Sequence, residues 1–358
     1  MKIKSKEDNY ISITCGYEYK ELHHCTDVIT EFINKILTNE EIRNFYLTIL
    51  STCLVGTQQP YLIVANGVGG NAKSSLHQLL MAGIGEYGYR MPSNCLLSEI
   101  KEGPNPELAN IHLKRGIVSA EPKNTKHICT SAIKELTGNR QLPVRNHYQN
   151  TVGISNTGTF ILECNTKPKL DQVDEAVNRR IITIPFRSRF VTESVLEKND
   201  KVNYFLANPY YVSDQFYEDH KQSIVMILIP YFMEFYKNGE ILPKVPEECA
   251  RITREYLATS DSLFDWFQDN FKECENNIIS LKEIYLVFTN SEYYQNMNKK
   301  DKRENNMKNF KKQIDENLFL SEYIKVRNQH FNGIKLSSDS IVNWKINEID
   351  DSEIDNNE

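Results

Sequence analysis

A short apolar run, Tyr61-Leu-Ile-Val-Ala-Asn66, leads into a glycine-rich loop, Gly67-Val-Gly-Gly-Asn-Ala-Lys73-Ser74. An apolar, helix-forming segment follows from Ser75 to Met81. Strand, loop and helix in that order are the context that a phosphate-binding loop needs. Gly67, Gly69 and Gly70 let the backbone bend and bring its N–H groups close to phosphate oxygens. The helix N-terminus adds positive potential. Lys73 is placed to reach the β- and γ-phosphates and the Ser74 hydroxyl to hold Mg²⁺, so ATP and Mg²⁺ are the expected ligands, with Asn71, Ala72 and Ser75 completing the binding set. One position departs from the usual G-x-x-x-x-G-K-[ST] pattern: Ala72 stands where glycine precedes the lysine, and its methyl group faces the β-phosphate cradle.

The chain has 358 residues, enough for two or three domains with real cores. Its 40% apolar and 25% charged residues are ordinary for a soluble globular protein. The longest apolar run, Ile224 to Met233, contains Pro230 and is far too short to span a bilayer. Met1 to Asp8 is polar and charged, unlike a secretory signal. The eight cysteines form no C-x-x-C pair, so neither a zinc site nor a disulfide framework is indicated, and a reducing cytoplasmic setting is expected. The net charge of −6 is misleading, because Ile346 to Glu358 carries six acids and no base. Bases cluster instead in Lys299-Lys-Asp-Lys-Arg303 and from Lys308 to Lys312; taken alone, such runs read as solvated helix faces.

Apolar residues recur at helical spacing over residues 22 to 56, with Thr38-Asn39-Glu40-Glu41 as turn and cap. Residues 57 to 190 alternate short apolar strands (Tyr61–Ala65, Gly116–Ala120, Phe160–Glu163, Arg180–Pro185) with helices, a pattern that predicts an α/β fold with a parallel sheet. Residues 223 to 237 and 247 to 273 read as helices. After Ser280 come two helices, the second basic, and two short strands, Tyr323-Ile-Lys-Val and Gly333-Ile-Lys-Leu, which fit a small winged-helix module. The expected organisation is an N-terminal helical collar (1–56), a P-loop core (57–190), a helical region (191–274), the winged-helix-like module (275–337) and an acidic, disordered tail (338–358).

Four further features follow the glycine loop. Arg115-Gly-Ile-Val-Ser-Ala-Glu121 is a buried strand ending in a carboxylate, where open α/β sheets place ligands. A P-loop ATPase needs an acid there to assist Mg²⁺ and polarise water, which nominates Glu121. Phe160-Ile-Leu-Glu-Cys-Asn165 ends in an amide that could touch the γ-phosphate or the attacking water. Arg179 and Arg180, heading the strand Ile181–Pro185, could place a guanidinium on a neighbouring subunit's nucleotide. The stretch Lys134 to Tyr148, with Arg140, Arg145 and His147, reads as loop-rich and suits a nucleic-acid backbone.

The ordered set resembles the superfamily 3 helicases, specifically the ATPase half of poxvirus-type and phage/plasmid-type helicase–primases. The stretches that carry this are G-V-G-G-N-A-K-S-S, L-A-N-I-H-L-K-R-G-I-V-S-A-E, I-K-E-L-T-G-N-R-Q-L-P-V-R, F-I-L-E-C-N-T-K-P and V-N-R-R-I-I-T-I-P-F, within roughly residues 25 to 340. The resemblance implies an AAA+-type core, a ring, usually of six subunits, and ATP-driven translocation on DNA in viral or plasmid replication. It implies Glu121 as the catalytic acid that also assists Mg²⁺, Asn165 as sensor, and Arg179 or Arg180 as the finger reaching across the interface. It also implies a primase as partner, in trans or in a longer parent protein, because residues 1 to 24 are too few to provide one. Two other readings remain: a DNA-binding or assembly protein of the same fold in which Ala72 has impaired the nucleotide site, and a small-molecule kinase, for which no acceptor-binding segment is evident.

Overall fold

The computed structural model describes residues 12–20, 26–100, 105–122, 127–144, 152–198, 202–297, 299–317, 319–320, 325–327 and 330–336. The chain divides into two units, residues 1–260 and 261–358.

In the first unit, helices α1 (Thr26–Ile36) and α2 (Glu40–Ser51) come first. The Asn39 side chain caps α2 by accepting the Ile42 N–H at 3.1 Å. Five strands then form one parallel sheet: β1 (Leu62–Asn66), β2 (Gly88–Met91), β3 (Gly116–Ala120), β6 (Thr159–Cys164) and β7 (Ile181–Pro185), in the order β2-β3-β6-β1-β7. A separate antiparallel ribbon joins β4 (Gln141–Val144) to β5 (Val152–Ser155), and β8 (Arg189–Val191) pairs in parallel with β9 (Tyr204–Leu206). β1 occupies an inner position, between β6 and β7, so the loop that follows it opens in the middle of the sheet's carboxyl edge. This is the AAA+-type arrangement, with β3, the strand that runs up to Glu121, set apart from β1 by β6.

The strands are apolar because they are covered. All of β6 and the first four residues of β1 are buried, as expected of parallel strands packed on both faces. Ile63, Ala65, Val118, Ile161 and Ile182 share one core with Ile29, Phe32, Phe45, Ile49, Leu76 and Leu80 of α1, α2 and the helix after the loop, α3 (Lys73–Ile84), and with Phe216, Ile224 and Leu228 of the helix Asp214–Lys237. Residues 26–51, expected as a collar, therefore pack into the sheet's own core. The helix Glu247–Ser260 is fixed to β7 by Thr253, whose hydroxyl accepts the Thr183 N–H at 2.8 Å.

The second unit begins with the helix Ser262–Asn270, capped by Asp261, and continues into β10 (Phe271–Ser280). The helices Leu281–Asn290 and Met307–Glu316 follow, and then β11 (Lys325–Arg327) and β12 (His330–Leu336). Trp266, Phe267, Phe271, Phe288 and Phe310 form its aromatic core. Where two short strands were expected, β12 pairs with β11 on one side and with β10 on the other, giving a three-stranded antiparallel sheet. Residues 271–273, read as helical from their apolar spacing, are strand instead, because Phe271 faces its aromatic neighbours in register with Leu336. The expected boundary at 274/275 falls inside β10. Lys134 to Gly138, read as loop, are the end of a helix (Thr130–Gly138) whose apolar face, Ala132, Ile133 and Leu136, is buried. The acidic tail lies outside the described residues. Among the described residues no helix is long and apolar enough to cross a membrane.

A cut after Ser260 should leave a unit that melts cooperatively, because it severs no described strand. A cut after Cys274 should leave residues 261–274 open to protease, because it removes the remainder of β10 and the strand that pairs with it. Limited proteolysis with mass analysis of the two truncated chains checks this; equal protection of residues 261–274 in the longer fragment would refute it.

Candidate nucleotide site

The glycine loop is held open by its own backbone and by the neighbouring strands. The Gly67 N–H donates to the Cys164 carbonyl at 3.2 Å, and the Phe186 N–H to the Asn66 carbonyl at 2.7 Å, tying the end of β1 to β6 and β7. At Gly67 a Cβ would overlap the Asn71 amide and the Phe186 carbonyl, so no larger residue fits. Gly70 takes φ +80°, where glycine is favoured. The buried Asn71 side chain braces the loop from within: its amide donates to the Phe186 carbonyl at 3.3 Å and its Oδ1 accepts the Lys73 N–H at 3.3 Å.

Ala72 is the N-cap of α3 and sits at φ 59°, ψ 15°. This is the left-handed region, which costs a non-glycine residue about 1–2 kcal/mol. The position where the sequence replaces the usual glycine is therefore one where the backbone asks for glycine.

The Lys73 ammonium donates to the Gly67 carbonyl at 2.9 Å and to Asn165 Oδ1 at 2.5 Å, curling back over the loop. Burial pulls its pKa below the ordinary lysine value, against the opposing pull of Glu163 and Glu121 among its neighbours. Ser74, at the first turn of α3, donates its hydroxyl to Glu163 Oε2 at 2.9 Å. Ser75 is buried. Glu121, just beyond β3, accepts the Asn165 N–H at 2.7 Å and the Thr166 N–H at 3.3 Å, and so fixes the turn that follows β6. Gly67, Lys73, Ser74, Glu121 and Asn165 thus converge at the carboxyl edge.

Other expected residues do not join them. Arg179 and Arg180 precede β7, at the amino edge of the same sheet. A strand of five residues spans roughly 17 Å, which separates them from this chain's own loop. Arg179 is exposed and turns back to the carbonyl of Glu175 at 3.3 Å; Arg180 is partly buried, with Nη1 donating to the Ala176 carbonyl at 2.8 Å. Arg140 is exposed at the start of β4, and Arg145 and His147 lie outside the described residues.

The sequence reading named no role for Glu163, the one charged residue inside the apolar run of β6. Its Oε1 accepts the Arg90 guanidinium of β2 at 3.0 Å and His77 Nδ1 of α3 at 2.6 Å. With that proton on Nδ1, His77 Nε2 is left to accept the buried Tyr46 hydroxyl of α2. Burial alone would raise the Glu163 carboxyl, but His77, Arg90 and Ser74 outweigh it and hold the group at about 2. Its charge amid β6 was the available signal; its partners were not, because they come from α3 and β2.

These donors suit a magnesium–triphosphate. The loop offers backbone N–H groups and a lysine, and Ser74 and the carboxylates offer the hard oxygens that Mg²⁺ prefers. Among the described residues no cluster of three or more His, Cys, Asp or Glu could hold a metal by itself.

No family model matches the chain. Among known proteins it is similar to L207/L206 of Acanthamoeba polyphaga mimivirus, a protein provisionally named a helicase, with 30% identity over 293 residues. It is also similar to Primase D5 of fowlpox virus (strain NVSL), 28% identical over 263 residues, and to Uncoating factor OPG117 of vaccinia virus (strain Western Reserve), 30% identical over 188 residues. These matches cover 78%, 69% and 50% of this chain. This chain is related to the viral superfamily 3 helicases. It spans about a third or less of the length of the relatives it matches: 30%, 33% and 24% of their chains.

The strain at Ala72 gives a direct expectation for this superfamily 3 relative. Ala72→Gly should raise the unfolding free energy of the first unit by up to about 1–2 kcal/mol, less what glycine's greater freedom in the unfolded chain takes back. Denaturant titration followed by circular dichroism measures it; a loss of stability would show that Ala72 is unstrained.

Proposed function

We propose that the chain is the motor part of a replicative DNA helicase, which binds Mg·ATP in the Gly67–Ser75 loop and uses its hydrolysis to move along DNA as a ring. The observation that carries this reading is the convergence of Lys73, Ser74, Glu121 and Asn165 at one sheet edge, in a chain related to viral helicases.

Mg·ATP, when bound, supplies the scissile phosphoanhydride and the electrophilic phosphorus. This chain's residues do the rest. Lys73 gives up its contacts with Gly67 and Asn165 for phosphate oxygens. Asn165, released from Lys73, is free to orient water at the γ-position. Glu121, anchored by the N–H groups of Asn165 and Thr166, takes a proton from that water. Arg179 and Arg180 sit at the wrong edge to serve their own loop, which accords with service to a neighbour's nucleotide in a closed ring, expected to be hexameric. DNA would lie against basic residues near Arg140, with Arg145 and His147, through contacts to phosphates, because a translocating motor must ignore sequence. The second unit would dock on fork duplex, and a primase would act alongside, in trans or in a longer parent chain.

A second reading keeps the fold and DNA binding but not turnover. The left-handed Ala72 favours it, because the methyl and the strained backbone both lie at the phosphate cradle.

ATP hydrolysis with and without single-stranded DNA separates the two. The wild-type chain should hydrolyse Mg·ATP, and faster with DNA. Lys73→Ala should lose nucleotide binding by on the order of 100-fold or more, since it removes the loop's own cation. Glu121→Gln should bind and not turn over. Absence of hydrolysis by the wild type, restored in Ala72→Gly, would favour the second reading; parental turnover by Glu121→Gln would remove its assigned role.

A further inference from the structure

In a P-loop site the hydroxyl that holds the metal is usually steadied by an acid on the strand of the second motif. Here that strand, β3, ends Ser119-Ala120-Glu121, and Glu121 is turned to the backbone of Asn165 and Thr166. The place one residue earlier holds only the methyl of Ala120. β3 and β6 are parallel neighbours, and in their register Ala120 stands directly beside Glu163. On its other side, Glu163 stands beside Ala65, the penultimate residue of β1. The carboxylate therefore occupies the same level of the sheet as the vacant place, one strand closer to the loop.

Its two oxygens are used differently. Oε1 is occupied by His77 and Arg90. Oε2 has Ser74 Oγ at 2.9 Å. Because the Ser74 proton is directed to Oε2, the lone pairs of Oγ are turned away from the carboxylate and are free for a cation. Arg90 and His77 hold the carboxylate in place on the side away from Ser74.

We propose that Glu163 is the positioning acid of the metal site, supplied by β6 in place of the residue that β3 lacks: it orients Ser74 Oγ toward Mg²⁺ and accepts from metal-bound water. Two carboxylates then divide the work, Glu121 for the attacking water and Glu163 for the metal. This rests on the reading of Gly67–Ser75 as an Mg·ATP site.

The test is a titration of the intact chain with a fluorescent ATP analogue, in Mg²⁺ and in EDTA. For the wild type, Mg²⁺ should strengthen binding about tenfold or more. Glu163→Gln should keep the EDTA affinity within about twofold and lose most of the gain from Mg²⁺. Ala120→Asp in the Glu163→Gln background, which returns an acid to the neighbouring strand, should restore part of that gain. A purely structural role for Glu163 would lower both affinities together. A full Mg²⁺ gain in folded Glu163→Gln, or equal losses in Mg²⁺ and EDTA, overturns the proposal. No binding by the wild type in either condition refutes the underlying nucleotide reading instead. If Glu163→Gln fails to fold, a crystal structure of the wild type with Mn²⁺ and a non-hydrolysable ATP analogue decides. Ser74 Oγ on the metal, with Glu163 within about 3.2 Å of that hydroxyl or of a metal-bound water, supports the proposal, and any other placement of the carboxylate or of Ser74 overturns it.

Discussion

A carboxylate inside a buried strand cannot stand alone, and the surroundings of Glu163 are arranged around that fact. An unpaired buried charge is so costly that the group would otherwise take up a proton. Here it stays ionised because Ser74, His77 and Arg90 close on it from α3 and β2, while Tyr46 steadies His77 from α2. One charge thus links the edge strand β2 and the helix that follows the glycine loop to the centre of the sheet, with α2 joined to it through Tyr46 and His77. Through Oε2 it turns the Ser74 hydroxyl at the first turn of α3, while the loop's own shape is set by Asn71 and by the close packing at Gly67.

The same arrangement separates positioning from chemistry. Residues that hold the loop and the Ser74 hydroxyl in place are buried: Asn71 braces the loop against Phe186, and Glu163, among its partners, orients Ser74. Residues assigned to the reaction, Glu121 and Asn165, are at strand ends where the protein meets solvent and where ligands of open α/β sheets collect. Lys73 lies between the two groups. Its present partners are a carbonyl and an amide oxygen, both neutral acceptors that a triphosphate would outcompete.

Much of this was legible from the chain. The strand–loop–helix order around Gly67–Ser74, the four strands read from apolar runs and the cap at Asn39 depend on local pattern, and each forms where the pattern puts it. The AAA+-type core and the relation to viral superfamily 3 helicases could likewise be read from the order of motifs. What escaped was set by distant partners. Phe271 reads as helical until β12 is known to lie beside it. Lys134 to Gly138 looked like loop because its polar residues hid the buried Ala132, Ile133 and Leu136. The role of Glu163 depends on partners in α3 and β2, 73 to 89 residues away in sequence. The left-handed backbone at Ala72 was open from sequence, because a loop can pass that position in more than one conformation.

The central claim is that nucleotide sits in the loop between β1 and α3. Hydrogen–deuterium exchange on the intact chain, with and without Mg·ATP, tests this without any mutation. The account predicts slowed exchange of backbone amides across residues 67–75 and in the turn at 165–166, where N–H groups line the cradle or carry Glu121. Unchanged exchange in both segments at saturating nucleotide, or protection confined to another part of the chain, would contradict it.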